Sequence, residues 1–213
     1  MLRTTPVKKG RSNSSIVRCA IDVKAWLARV PSVDEVRPGQ CPRCAAASRP
    51  LGRALQIWGH GLRERQQRGP LEPLGEPIEV TIRVRRYVCR LCTAVIVVVP
   101  LGVIGGRLFS AAAMGLALVL FGVAGLPLAE VRRRVSPWQH VGTSAQGSWL
   151  GLRRWVRAIR ERRLFGSVRR SPASFTARQV AERAAMTLAA LAPPSLADGA
   201  VEHRVFAGAV RAR

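Results

Sequence analysis

Cys41-Pro-Arg-Cys44 and, well downstream, Cys89-Arg-Leu-Cys92 are the stretches on which the fold of this chain turns. Two residues between cysteines let a tight turn aim both sulfurs at one ion about 2.3 Å away, and two such turns complete a closed tetrahedral shell. The spacing therefore predicts a zinc ribbon, with Cys41, Cys44, Cys89 and Cys92 as ligands of a structural Zn²⁺. Positions 45–88 lie between the pairs, well beyond the roughly 15 to 20 residues of the compact pattern, so the excess forms an extended hairpin or an inserted loop. The other readings of the same cysteines are two separate thiol pairs or a disulfide framework. Met1 to Ser15 carries basic residues but no apolar run ending in a cleavage site, and without a secretory signal zinc is the favoured reading. Cys19 has no nearby His and reads as a small buried residue. His60 reads as a solvent-facing loop residue rather than a substitute for one of the cysteines.

The interval between the pairs has the period of a sheet. Ile78, Val80, Ile82 and Val84 alternate with Glu79, Thr81, Arg83 and Arg85, which predicts a half-buried strand delivering Cys89 to the metal. Ala94 to Val99 is a β-branched run leaving the second pair, and Ala54 to Trp58 a strand leaving the first. Gly59, Gly61, Gly69 and Pro70 punctuate what lies between.

Outside the ribbon the pattern is helical. Ile16 to Val30 has apolar residues at helical spacing and is expected to form a short amphipathic helix ended by Pro31. Ser110 opens an uncharged helix over Ala111 to Ala124, and a second fits Leu128 to Val135, which Pro137 forbids from continuing. A third is capped by Thr143 or Ser144 and runs to about Arg163, with Leu152, Trp155, Val156 and Ile159 as its apolar stripe. Thr176 to Gln179 reads as a capping box opening a helix to Leu191, and Val205-Phe206 as a short strand. The expected class is α+β: a small antiparallel zinc ribbon followed by a mostly helical, helix-turn-helix-like region. The expected divisions are a basic arm and helix over 1–39, the ribbon over 40–106, the helical region over 107–166, and a linker with a C-terminal helix over 167–213.

The chain has 213 residues, with 35 Lys and Arg against 12 Asp and Glu, a net charge of +23 and a pI near 11.8. So lopsided a balance points to a polyanion as partner. Leu108 to Leu128 contains no charged residue and is long enough to span about 30 Å of hydrocarbon. Its late glycines, Pro127, and the lack of Trp or Tyr at either end favour a buried helix instead.

The order of parts also resembles a known arrangement. Cys41-Pro42-x-Cys44, then Arg86-Tyr87-x-Cys89-x-x-Cys92, Pro100, and Leu152-Arg153-Arg154-Trp155 are similar to the N-terminal zinc-ribbon and helix-turn-helix half of bacterial insertion-sequence transposases, and to small proteins derived from them. The resemblance spans roughly 40–163 and implies DNA as partner. Ser136-Pro137 is followed by Trp138 to Gly142 before the next cap, a longer interval than the short turn of that family.

Transposition chemistry needs three carboxylates holding two divalent ions, and after the helical part only Glu182, Asp198 and Glu202 remain. Neither a Gly-x-Ser-x-Gly elbow nor a phosphate loop is present. The expectation is a non-enzymatic, cytoplasmic, zinc-containing DNA-binding protein without a small-molecule substrate. Arg153, Arg154, Arg157 and Arg160 would contact phosphates or base edges, and Arg83, Arg85 and Arg86 would add backbone contacts. The alternatives are a protein-docking zinc scaffold, or a small membrane protein with its span near 108–128.

Overall fold

The computed structural model describes residues 14–138 and 149–212. The fold is α+β, with β1 (Ser14–Asp22), α1 (Val23–Ala28), β2 (Ile57–Gly69), β3 (Ile78–Cys89), β4 (Val95–Leu101), α2 (Ala111–Gly122), α3 (Leu128–Val135), α4 (Leu150–Arg160), α5 (Ala177–Ala189) and α6 (Val201–Arg211). The strands form one sheet in the order β1-β4-β3-β2. The chain divides into two compact units: 14–19, 30–63 and 83–99 belong to the first, and 20–29, 64–82 and 100 onward to the second.

β3 forms as its alternation predicts, with Ile82 and Val84 buried and Thr81 and Arg83 exposed. It pairs antiparallel with β4, Arg85 opposite Val98 and Tyr87 opposite Ile96. β2 and β3 are sheet neighbours joined by residues 70–77, too few for a parallel crossover. The long interval between the cysteine pairs is thus an extended hairpin. β4 lies between β1 and β3, so both its edges are paired, and Ile96, Val97, Val98 and Val99 are all buried, as suits a run without polar alternation.

Several expectations are corrected. Ile16 to Val30 is not one helix: β1 alternates between exposed and half-buried residues, Val17, Cys19 and Ile21 facing in, and only Val23–Ala28 is helical. Val17 and Ile21 suit a pleated surface as well as a helix face, and Asp22 breaks the run by accepting the N–H of Ala25 as a helix cap. The strand after the first cysteine pair does not stop at Trp58; it starts at Ile57 and runs through Gly59 and Gly61 to Gly69. The sheet takes in β1, which precedes both cysteine pairs, and its strands are not all antiparallel; apart from the sheet, an isolated parallel bridge joins Arg68 and Phe109. Val205 and Phe206 lie in α6, where Val201, Val205 and Gly208 recur at helical spacing and Glu202 and Arg211 suit the helix dipole.

In the second unit α2 is the axis. Ser110 Oγ accepts the N–H of Ala113 at 3.0 Å and opens the helix as expected. Nearly every residue of α2 is buried, because α3, α4, α5 and α6 all pack against it. Among the described residues no helix is long and apolar enough to cross a membrane. Small residues permit the close packing: a Cβ at Gly122 would meet the backbone of Glu182, and one at Gly208 the carbonyl of Leu188. α3 occupies the expected residues. α4 begins at Leu150 behind Trp149, and the predicted caps Thr143 and Ser144 lie outside the described residues. Phe109, Trp149 and Trp155 stack edge-on with centroids 5.0–5.9 Å apart, anchoring the apolar side of α4. Thr176 and Gln179 make the predicted capping box.

Candidate metal centre

In the first unit the four cysteines of the two pairs converge. Their sulfurs all lie within 4.8 Å of one another, with Cys41 and Cys92 at 3.7 Å and Cys44 and Cys89 at 3.7 Å. Each short edge joins one turn to the other. Tetrahedral thiolates about 2.3 Å from a zinc ion stand about 3.8 Å apart, so the spacing suits such an ion. All four are free thiols, and the disulfide reading is not realised. Cys41 and Cys89 are buried, Cys92 is half-buried and Cys44 is exposed.

The two turns are built alike. Cys41 N–H donates to Ala46 O at 2.8 Å and Cys89 N–H to Ala94 O at 3.0 Å; Ala45 N–H donates to Cys41 O and Thr93 N–H to Cys89 O, both at 2.9 Å. The first turn is closed at its base by a bridge between Gln40 and Ala47, and the second is tied to the approach of β2 by Arg90 N–H on Gln56 O at 2.9 Å. The sulfurs are therefore positioned by backbone pairing.

Electrostatically the cluster holds a conflict that a cation resolves. Burial pushes the Cys41 thiol up, but N–H groups of Cys44 and Arg43 and the thiols of Cys92 and Cys44 outweigh it and bring it down to about 7. The N–H of Ala46 favours ionised Cys44, yet burial and the thiols of Cys92, Cys41 and Cys89 push it up to about 12. Four adjacent thiols cannot all ionise together unless positive charge sits among them, which is how metal binding releases protons. The donor set is soft sulfur in a tetrahedral spread, compatible with zinc.

Beside the cluster, Tyr87 is fully buried and donates its hydroxyl to Val33 O at 2.7 Å, while Arg85 Nε donates to Pro31 O at 2.7 Å. Burial holds the Tyr87 phenol above its ordinary value, against Arg37 and Arg85 nearby. Of the three β3 arginines expected to meet phosphate, Arg83 is exposed, Arg86 is half-buried, and Arg85 is engaged with the chain before the first turn. His60 is exposed and does not belong to the cysteine cluster.

In the second unit Arg153, Arg154, Arg157 and Arg160 lie on the exposed side of α4, and Leu152, Trp155, Val156 and Ile159 are buried on the other. Arg160 also donates to Phe175 O. On α3, by contrast, Arg133 and Arg134 both pair with Glu130. Sequence reasoning missed a contact in the first unit: Arg90, inside the second cysteine turn, stacks over Trp58 with its guanidinium carbon 4.9 Å from the ring centroid. Compared with protein-family models, with curated proteins and with solved structures, the chain matches none of them.

Proposed function

We propose that this chain is a non-catalytic, zinc-containing DNA-binding protein in which a tetrathiolate ion braces the first unit and α4 of the second meets the duplex. The resemblance to the DNA-binding half of insertion-sequence transposases points the same way, and reduced metal-binding thiols suit the cytoplasm. The observation that carries the reading is the exposed side of α4: no carboxylate occurs between Trp149 and Arg160, so its arginines are not neutralised along the helix as those of α3 are. Arginine suits phosphate oxygens because its planar fork makes paired hydrogen bonds.

Three or four phosphate contacts give a slope of about −3 to −4 in log affinity against log salt. Fluorescence anisotropy with a labelled duplex across a salt series measures it. The triple variant R153E/R154E/R157E is expected to lose most of the affinity and of the slope. Absence of duplex binding at low salt, or an unchanged slope in the variant, would overturn the reading. A protein-docking role draws on Leu51 and Leu91, both well exposed; a partner captured from lysate and retained after nuclease treatment would favour it.

A further inference from the structure

We propose that the first unit carries a second nucleic-acid site, one for unpaired bases, built from Trp58 and His60 of β2 with Arg90 of the second cysteine turn. It rests on the reading of this chain as a nucleic-acid-binding protein, but on other residues than those of α4.

Trp58 is held without being covered. Its indole N–H donates to Leu55 O at 2.7 Å, and the Arg90 guanidinium lies over the ring at 4.9 Å. Arg90 is itself placed by its backbone bond to Gln56 and by the cysteines on either side. The residue nevertheless remains 47% exposed, leaving ring surface for a further partner. A large aromatic side chain fixed by a hydrogen bond and a cation, and still open to water, has the attributes of a stacking platform.

A second ring belongs to the same strand. His60 is exposed two residues along the same strand, about 6.7 Å further on by the rise of a strand. Gly59, between them, points the other way, since a Cβ there would meet Val33. β2 is an edge strand, with a neighbour on one side only.

The charge of the unit selects the ligand. Asp34 and Glu35 are the only carboxylates among its described residues, and Asp34 is held between Arg37 at 2.9 Å and Arg49 at 2.6 Å. Arg43, Arg53 and Arg90 are all exposed. A protein-docking surface would carry mixed charge around its apolar centre, whereas aromatic rings among arginines suit a strand whose bases stack and whose phosphates are neutralised. Bases inside a duplex are already stacked on one another, so the ligand is single-stranded.

The test uses the zinc-loaded full chain, with anisotropy on a labelled oligothymidylate and on a duplex. Trp58→Ala is expected to weaken single-strand binding about tenfold and to leave duplex binding unchanged. Trp58→Phe, which keeps a ring, should retain single-strand affinity to within about threefold. Zinc content of each variant reports whether the cysteine turns are intact. The proposal is overturned if the wild-type chain does not bind the single strand, if Trp58→Ala binds it normally, or if the Ala and Phe variants lose affinity equally. A failure of the α4 reading looks different: R153E/R154E/R157E would leave duplex binding unaltered, while the single-strand result would stand.

Discussion

Ala45 and Thr93 occupy the same place in the two cysteine turns, one residue past the second thiol, and both adopt left-handed backbone, with φ of 57° and 58°. Neither is glycine, the residue that takes this conformation at least cost. Each turn curls so that the next residues return to bond the first cysteine, and the left-handed residue is the pivot. Ala45→Gly is expected to stabilise the zinc-loaded protein by about 0.5–1 kcal/mol, read as a shifted denaturant midpoint. Thr93→Gly should gain less, because it gives up the bond from Thr93 Oγ1 to Cys92 O at 2.7 Å. A destabilised Ala45→Gly would show that the turns are held otherwise.

One zinc ion per chain is the expected stoichiometry, and Cys41→Ser or Cys89→Ser should abolish it. Both sulfurs are buried, so neither is readily replaced by water. Elemental analysis of purified protein decides the matter, and a full complement of zinc in either variant would exclude the tetrathiolate site.

The metal-free protein should show an unusual pH profile. Cys41 is brought down to about 7 from 9.0, so its contribution is complete above 9 and is lost as pH falls through 7. Cys44 is pushed up to about 12 from 9.0, so its contribution is complete below 9 and fades as pH rises towards 12. Stability of the chelated protein is therefore expected to peak near pH 9. Denaturant titrations across that range, repeated on Cys41→Ser and Cys44→Ser, should lose the rising limb and the falling limb respectively.

Tyr87→Phe removes a fully buried hydroxyl and leaves the Val33 carbonyl without that donor. The expected cost is about 1–2 kcal/mol with zinc binding retained, which equilibrium unfolding and metal analysis check together. Arg85→Gln should likewise lower stability and leave the salt slope of DNA binding unchanged, since its Nε is bonded to Pro31 O.

Gly208→Ala would drive a methyl group into the Leu188 carbonyl, where backbone and not a flexible side chain stands in the way. A loss of about 2–3 kcal/mol or more is expected, seen as a lowered thermal midpoint. A variant as stable as the parent would mean that α5 and α6 pack less closely.

How far the sequence could be read depended on whether local pattern and tertiary demand agreed. β3 alternates and is half-buried, α2 is uncharged and almost wholly buried, and Thr176 caps its own helix; each of these signals is contained in the segment that uses it. The cysteine spacing carried the four-thiol cluster in the same way, because a Cys-x-x-Cys turn is a local object. β1 was misread because Val17 and Ile21 satisfy a helical period and a strand period alike, and only the neighbouring β4 settles the choice. The strand expected at Val205 failed for the same reason, as two adjacent apolar residues fit either period. The stacking of Arg90 on Trp58 was not legible, since it joins residues far apart in the chain through the closure of the second cysteine turn.

The place of β4 in the sheet has a bearing on handling the protein. Ile96 to Val99 is an uncharged, β-branched ribbon, the composition that seeds intermolecular sheets when its edge is bare. β1 is what shields that edge, and it belongs to a stretch of chain made long before the strand it protects. Shortening the protein from the front, past Asp22, would strip the shield and leave that edge open to pairing between molecules, the start of fibrils or inclusion bodies.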